Sequence, residues 1–82
     1  MAKFINKATE IRCDSKGNPF AFLFNKKWFR VNHVLEIWKD TGTWWDGEPE
    51  KTFFRVETTG GSLYELYTDD TGGRWFLYRI YD

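Results

Sequence analysis

The side chains best suited to acid–base or nucleophilic chemistry are one histidine, one cysteine and a short run of acids. His33 is the only histidine of the chain and Cys13 is its only cysteine. A nucleophilic Cys13 would need His33 as its base. The acids alternate in the stretch WDGEPE, where such spacing suits a general acid and base or a loosely held divalent cation. These acids are Asp46, Glu48 and Glu50.

Each of these features also has a simpler structural interpretation. His33 falls at an inward-facing phase of its segment, which favours a hydrogen-bonded structural histidine. A single cysteine excludes an internal disulfide and a thiolate metal site, and it favours a reduced thiol that packs. Acids beside glycine and proline are typical of a solvated turn. The sequence therefore predicts a protein that is not an enzyme and that has no cofactor and no metal.

Length and composition indicate one folded domain. Eighty-two residues suffice for a single small core, and the aromatic content of 21% supplies large side chains to fill it. No apolar run approaches the roughly 18 residues of a membrane span, and the N-terminal segment lacks the core of a signal peptide. We expect one domain over residues 1–82, in the cytoplasm and without membrane contact.

The charge is balanced overall but unevenly distributed. Residues 1–39 hold eight basic and three acidic residues, whereas residues 40–82 hold four basic and nine acidic residues. The sequence pI is about 6.6, while strong nucleic-acid binders often have a pI above about 9. A broad phosphate-binding surface is therefore disfavoured. Because zero net charge gives little repulsion between copies of the chain, the sequence leaves a homodimer as an alternative to a monomer.

The hydrophobic periodicity is that of strands. The run FAFLF (residues 20–24) alternates between the turn-forming segments DSKGNP and FNKKW, and KATEIRC (residues 7–13) is a weaker first strand. Residues 28–40 fit a strand with a bulge near Asn32 and His33, or a short helix in their second half. Their β-branched and aromatic content favours the strand.

The last third of the chain predicts three antiparallel strands joined by two glycine-bearing turns. The turns contain Gly60-Gly61 and Gly72-Gly73, which can supply the positive φ of tight hairpins. Strands joined in this way pair as a meander. The predicted fold is all-β: a small antiparallel meander of five to six strands that forms an SH3-like or OB-like partly closed barrel.

Alternation along these strands assigns side chains to two faces. The predicted core face consists of Phe54, Val56, Tyr64, Leu66, Phe76, Tyr78 and Ile80. The predicted outer face mixes aromatic rings with charge and consists of Phe53, Arg55, Tyr67, Trp75, Arg79 and Tyr81, extended by Trp28, Arg30 and Trp38. Because apolar patches of this size are rare on monomers, either a loop or the N-terminal strand covers this face, or it is a recognition surface.

Two adjacent tryptophans, Trp44 and Trp45, lie in a loop-like segment rich in glycine and acids. Adjacent residues of an extended chain point to opposite sides, so we expect one ring to cover the barrel and the other to lie at the surface. Tryptophan is enriched at binding hot spots. The exposed ring is therefore a candidate partner contact.

Several segments together resemble a known family. They are the paired Trp44 and Trp45, the strand FFRVE (residues 53–57), the Gly-x-x-Tyr-x-Leu pattern of Gly61, Tyr64 and Leu66, and the closing RWFLYRIYD. The chain resembles a small bacterial domain family without a characterised function. Residues 44–82 are also similar to the C-terminal tail of ImuB-type proteins, relatives of Y-family DNA polymerases. This resemblance implies an accessory role in DNA repair or mutagenesis, although the chain contains no glutamine and so lacks the Gln-anchored clamp-binding peptide.

Two functions fit these observations. The first is a non-enzymatic protein-interaction module, which binds an unknown partner, expected among the DNA-repair machinery, by strand addition or by an aromatic anchor. The second is a single-stranded nucleic-acid-binding barrel that uses exposed aromatic rings and arginines, which the zero net charge disfavours. Its stacking face would be Phe53, Arg55, Trp75 and Arg79, with Trp28 and Arg30 beside them. The predicted partner-binding residues are Trp44, Trp45, Trp28, Phe53, Arg55, Tyr67, Trp75 and Arg79.

Overall fold

Seven antiparallel strands make up the fold in the computed structural model, which describes residues 2–40, 50–69 and 74–81. The strands are β1 (Ala2–Thr9), β2 (Ile11–Cys13), β3 (Pro19–Phe24), β4 (Lys27–Asp40), β5 (Lys51–Thr58), β6 (Leu63–Asp69) and β7 (Trp75–Tyr81). The all-β prediction is confirmed, with one or two strands more than expected. No helix in these ranges is long and apolar enough to span a membrane.

The N-terminal segment joins the two ends of the sheet. The strand order is β1-β7-β6-β5-β4-β3-β2, so β1 and β2 lie at opposite ends although only Glu10 separates them. At this point the Leu23 amide donates to the Glu10 carbonyl over 2.9 Å, and the Thr9 hydroxyl donates to the Leu23 carbonyl. The sheet therefore curls into a partly closed barrel, as the sequence predicts.

The core lies inside this curl. Its buried members are Phe22, Phe54, Val56, Tyr64, Leu66 and Leu77, and Ile80 and Trp75 pack against them. The core assignment of Phe54, Val56, Tyr64 and Leu66 is confirmed.

The predicted phase of β7 is wrong at its start. Leu77, not Phe76 or Tyr78, points into the core, while Phe76 and Tyr78 contact the outer ring of Tyr67. The reason is a bulge: Glu65 pairs with Arg79 but Leu66 pairs with Leu77, which leaves one extra residue on β7. Every residue from 75 to 78 is apolar or aromatic, so alternation alone could not place this change of phase.

The ambiguous segment of residues 28–40 belongs entirely to the strand β4. Its pairing with β5 shifts register between Val31 and His33, where a bulge was predicted, and again between Val34 and Glu36. These shifts place His33 at an exposed position rather than in the predicted core.

Glycines and asparagine close the hairpins. The β2–β3 and β5–β6 loops share one pattern, in which Gly17 and Gly61 adopt φ of 84° and 85° and donate to the carbonyls of Asp14 and Thr58. The β3–β4 hairpin turns through Asn25 and Lys26, both with positive φ, as a two-residue type I′ loop requires. The DSKGNP and FNKKW turns are thus confirmed, whereas the Gly72-Gly73 turn lies outside the described residues.

Candidate interaction surfaces

Glu65 is the centre of the outer face. It lies on β6 between Arg55 on β5 and Arg79 on β7, in directly paired positions of three neighbouring strands. Glu65 is only 2% exposed. Carboxylates this buried need charged partners and hydrogen bonds, and both are present.

The contacts of Glu65 form a network of hydrogen bonds and ion pairs. Arg55 Nη2 and Nε donate to Glu65 Oε2 over 3.1 Å and 3.3 Å, and the Tyr81 hydroxyl donates to the same oxygen. Arg79 Nε lies 3.8 Å from Glu65 Oε1, while Arg79 Nη1 donates to the Tyr81 hydroxyl over 2.9 Å. On the solvent side, Arg55 Nη1 donates to Glu36 over 2.7 Å.

Both guanidinium groups are held in their charged form by this network. The hydrogen bond to Glu65 raises the pKa of Arg55, and the hydrogen bond to Tyr81, supported by the charge of Glu65, raises the pKa of Arg79. The same cations stack on rings: the Arg79 guanidinium lies 4.2 Å from the Phe4 ring centre, and that of Arg55 lies 5.5 Å from the Trp38 ring centre. Neither arginine is therefore free to bind a partner without breaking these contacts.

Aromatic rings beside this network cover one another. The Phe53 ring stacks on Trp38 at 5.4 Å and contacts Tyr67 at 5.1 Å, and both Phe53 and Tyr67 are buried. The Tyr67 hydroxyl donates to Asn6 of β1 over 2.6 Å. Burial raises the pKa of Tyr67, with the neighbouring Tyr78 and Asp69 adding to the effect. Part of the outer face is thus a second packed layer, which the N-terminal strand borders.

The predicted partner-binding residues are therefore distributed over several environments. Phe53 and Tyr67 are buried in the outer layer, and Arg55 and Arg79 bind Glu65. Trp75 belongs to the other face, where its ring lies 5.2 Å from that of Phe54, so its outer-face assignment is wrong. Trp28 is exposed. Trp44 and Trp45 lie outside the described residues.

The edge of β4 presents a different kind of surface. Strand β3 pairs with β4 only at residues 27–30, whereas β5 pairs with residues 31–40 along the opposite edge. Among the described residues, no strand pairs with the remaining edge of residues 32–39. Leu35 and Ile37, which lie on this segment, are 51% and 53% exposed.

The residues that the sequence offered for catalysis or metal binding do not lie together in the part of the chain that the structure describes. No three histidine, cysteine, aspartate or glutamate side chains there could hold a metal ion. Cys13 is exposed rather than packed in the core. Neighbouring atoms still remove some water from its thiol, and this desolvation, with the charge of Asp14, raises the pKa of the thiol and so disfavours the thiolate. Glu50 forms an ion pair with Lys39 at 3.3 Å, while Asp46 and Glu48 lie outside the described residues.

A comparison of the sequence with models of known protein families identified the family of this chain. The model of a domain of unknown function, DUF6504, matches residues 2–82. The chain belongs to this family. Searches of curated proteins and of solved structures gave no match. The predicted membership of a small family without a characterised function is thus confirmed for this DUF6504 domain.

Sequence reasoning did not single out the buried Glu65 or the exposed Leu35 and Ile37. Glu65 could have been found from the hairpin register, because closing β5 and β6 at the Gly61 turn sets Arg55 opposite Glu65. Leu35 and Ile37 gave no comparable signal. Their exposure depends on where β3 ends against β4, and β3 is set by turns far from these two residues.

Proposed function

We propose that this DUF6504 domain is a non-enzymatic protein-interaction module that binds an extended segment of a partner protein along the open edge of β4. The observation that carries the proposal is the edge of residues 32–39, which pairs with no strand in the described parts of the chain, together with the exposed Leu35 and Ile37. An exposed strand edge offers main-chain hydrogen-bonding groups to an added strand, and neighbouring side chains then give specificity.

The side chains along this edge favour an apolar segment as the occupant. Glu36 is bound to Arg55 and Lys39 is bound to Glu50, so the charged groups of this stretch already have partners. Leu35 and Ile37 together offer apolar area without a competing charge. The expected partner segment is extended, with apolar residues at alternate positions.

A finer assignment, an accessory role in bacterial DNA repair or mutagenesis in the cytoplasm, rests on the resemblance of residues 44–82 to the tails of ImuB-type proteins. In that setting the partner segment would belong to the repair machinery. Trp44 and Trp45 stay candidates for an additional anchor, since they follow β4 directly in sequence.

Selection of random 12-residue peptides on phage tests the proposal. Selected peptides should carry alternating apolar residues and should shift the backbone amide NMR signals of residues 32–39. The double substitution Leu35→Lys with Ile37→Glu keeps the net charge at zero and blocks the edge. It should weaken peptide binding at least tenfold.

The matched control is Phe20→Gln, which removes another exposed apolar side chain away from the β4 edge and should leave peptide binding unchanged. Equal affinity of the double variant and the wild type would contradict the proposal. Sedimentation showing a concentration-dependent dimer that the double variant abolishes would assign the edge to a second copy instead.

A further inference from the structure

Three arginines that lie apart from the Glu65 network have no acidic partner among the described residues. Arg12 on β2, Arg30 on β4 and Arg74 before β7 are exposed, and the ion pairs found in residues 2–40, 50–69 and 74–81 involve other cations. Among the described residues that line the surface around them, Glu10 is the one acid. This region therefore has a local excess of positive charge although the whole chain is neutral.

An exposed tryptophan lies among these arginines. Trp28 is 46% exposed, and the Arg12 guanidinium lies 5.0 Å from its ring centre. Ala21 on β3 pairs with Arg12 on β2 and with Arg30 on β4. The two arginines therefore lie in line across the sheet, one on each side of Ala21. Part of the indole is left accessible to a second planar group.

Two adjoining grooves meet at Arg12 and Trp28. One, of about 460 Å³, runs past Glu10 to Arg74 and Trp75. The other, of about 380 Å³, runs past Phe20 to Arg30. Volumes of this order suit small ligands or single nucleotide units. Each groove thus combines an aromatic ring with at least one unpaired arginine.

We infer that these two grooves form a binding site for a short single-stranded nucleic acid. A base stacks on the exposed part of Trp28, and the guanidinium groups of Arg12, Arg30 and Arg74 contact successive phosphates. Aromatic platforms beside basic side chains are the means by which proteins bind unpaired strands without reading sequence. An acidic peptide would satisfy the arginines but would leave the exposed rings of Trp28 and Phe20 without a matching partner.

The site differs from the one that the sequence predicts for nucleic acid. That prediction used Phe53, Arg55, Trp75 and Arg79, with Trp28 and Arg30 beside them. The rings of Phe53 and Trp75 are packed, and the two cations Arg55 and Arg79 bind Glu65. Trp28 and Arg30 are the members that keep an accessible position. Trp75 lines the end of one groove, and Arg12, Arg74 and Phe20 take the place of Phe53, Arg55 and Arg79, because the bend at Glu10 brings β2 next to the start of β7.

Titration of fluorescein-labelled octathymidylate at low salt tests the inference. With three phosphate contacts, the logarithm of the binding constant should fall against the logarithm of salt concentration with a slope of about −2. Trp28→Leu should weaken binding about tenfold and leave this slope unchanged, because stacking carries no charge. In the nitrogen-15 NMR spectrum, the Trp28 indole signal should shift more than those of the other tryptophans.

Substitution of two groove arginines distinguishes specific phosphate contacts in the grooves from non-specific attraction to any positive charge on the surface. Arg12→Gln with Arg74→Gln should weaken binding at least tenfold and bring the slope to about −0.7, since one phosphate contact remains. The control, Lys26→Gln with Lys39→Gln, removes the same charge elsewhere and should change binding less than twofold. Equal losses in the two double variants would overturn the inference.

Two other outcomes would also overturn it: no binding of the oligonucleotide at about 1 mM, or equal competition by an oligoglutamate peptide for the Trp28 signal, which would assign the grooves to an acidic peptide. The variant Leu35→Lys with Ile37→Glu should bind the oligonucleotide like the wild type. Failure of this site and failure of the proposed β4 edge are therefore separately observable.

Discussion

Two groups of arginines in this domain differ in how their charge is matched. Arg55 and Arg79 surround the buried Glu65 and lie on the rings of Trp38 and Phe4. Arg12, Arg30 and Arg74 lie beside the exposed Trp28 with no carboxylate within 4 Å in the described chain. In sequence, Arg30, Arg55 and Arg79 each follow an aromatic residue and Arg74 precedes one, so this pattern does not separate the two groups; Arg12 lies between Ile11 and Cys13. The difference lies in the strand register, which gives the first group an acid and gives the second group none.

The comparison teaches that an arginine–aromatic pattern has two uses. With a buried carboxylate at its centre, it forms a polar layer that ties strands together, because each guanidinium satisfies a charge that cannot reach water. Without the carboxylate, the same residue types present unpaired donors next to a ring. Only the second arrangement keeps its donors free for a ligand.

The largest expected effect is on the buried network. Glu65→Gln should lower the free energy of unfolding by about 3 kcal/mol, because it leaves two arginines without their shared counter-charge. Urea unfolding measures the change. Glu36→Gln, which removes the solvent-side partner of Arg55, should cost less than about 1 kcal/mol. A loss below 1 kcal/mol for Glu65→Gln would remove the contrast between the two arginine groups.

A smaller effect is expected at Tyr67, in the packed layer beside the network. Tyr67→Phe should lower the free energy of unfolding by about 1 kcal/mol at pH 7 through the loss of the hydrogen bond to Asn6. Burial raises the pKa of Tyr67 in the folded state. The stability that its neutral form provides is therefore complete below the unfolded pKa of about 10 and falls as the pH rises above it.

Unfolding of wild type and Tyr67→Phe at pH 8 and at pH 10.5 measures this dependence. The advantage of the wild type should shrink at the higher pH. A constant difference between the two proteins would mean that the Tyr67 hydroxyl is not shielded from solvent.

The smallest effect is expected at the grooves. Arg12→Gln and Arg74→Gln should each change the free energy of unfolding by less than about 0.5 kcal/mol, since exposed side chains without ion pairs contribute little to stability. Thermal unfolding checks this. A loss comparable to that of Glu65→Gln would show that these arginines belong to the structure, and the comparison with the first group would fail.

The local features of the fold were accessible from sequence. The glycines at 17 and 61 and the Asn25-Lys26 turn set the hairpins, and the alternation on β5 and β6 assigned Phe54, Val56, Tyr64 and Leu66 to the core. Such features depend on neighbouring residues and on one hydrogen-bonded turn, which fixes the register of the strands that it joins.

The phase of β7 and the placement of the sites depended on contacts between distant segments. The bulge opposite Glu65 and Leu66 decides that Leu77 enters the core while Phe76 and Tyr78 join the outer layer. No alternation could reveal it, because residues 75–78 are apolar or aromatic on both faces.

The sequence by itself determined that this chain is an aromatic, antiparallel all-β domain with hairpins at its glycine and asparagine turns. Only the tertiary structure decided which arginines have a carboxylate as a partner. The bend at Glu10 carries the N-terminal segment from one end of the sheet to the other, and this brings Arg74, just before β7, next to Arg12 and Trp28. The physical reason is one of range: turn geometry acts over a few residues, whereas barrel closure joins strands that lie far apart in the chain.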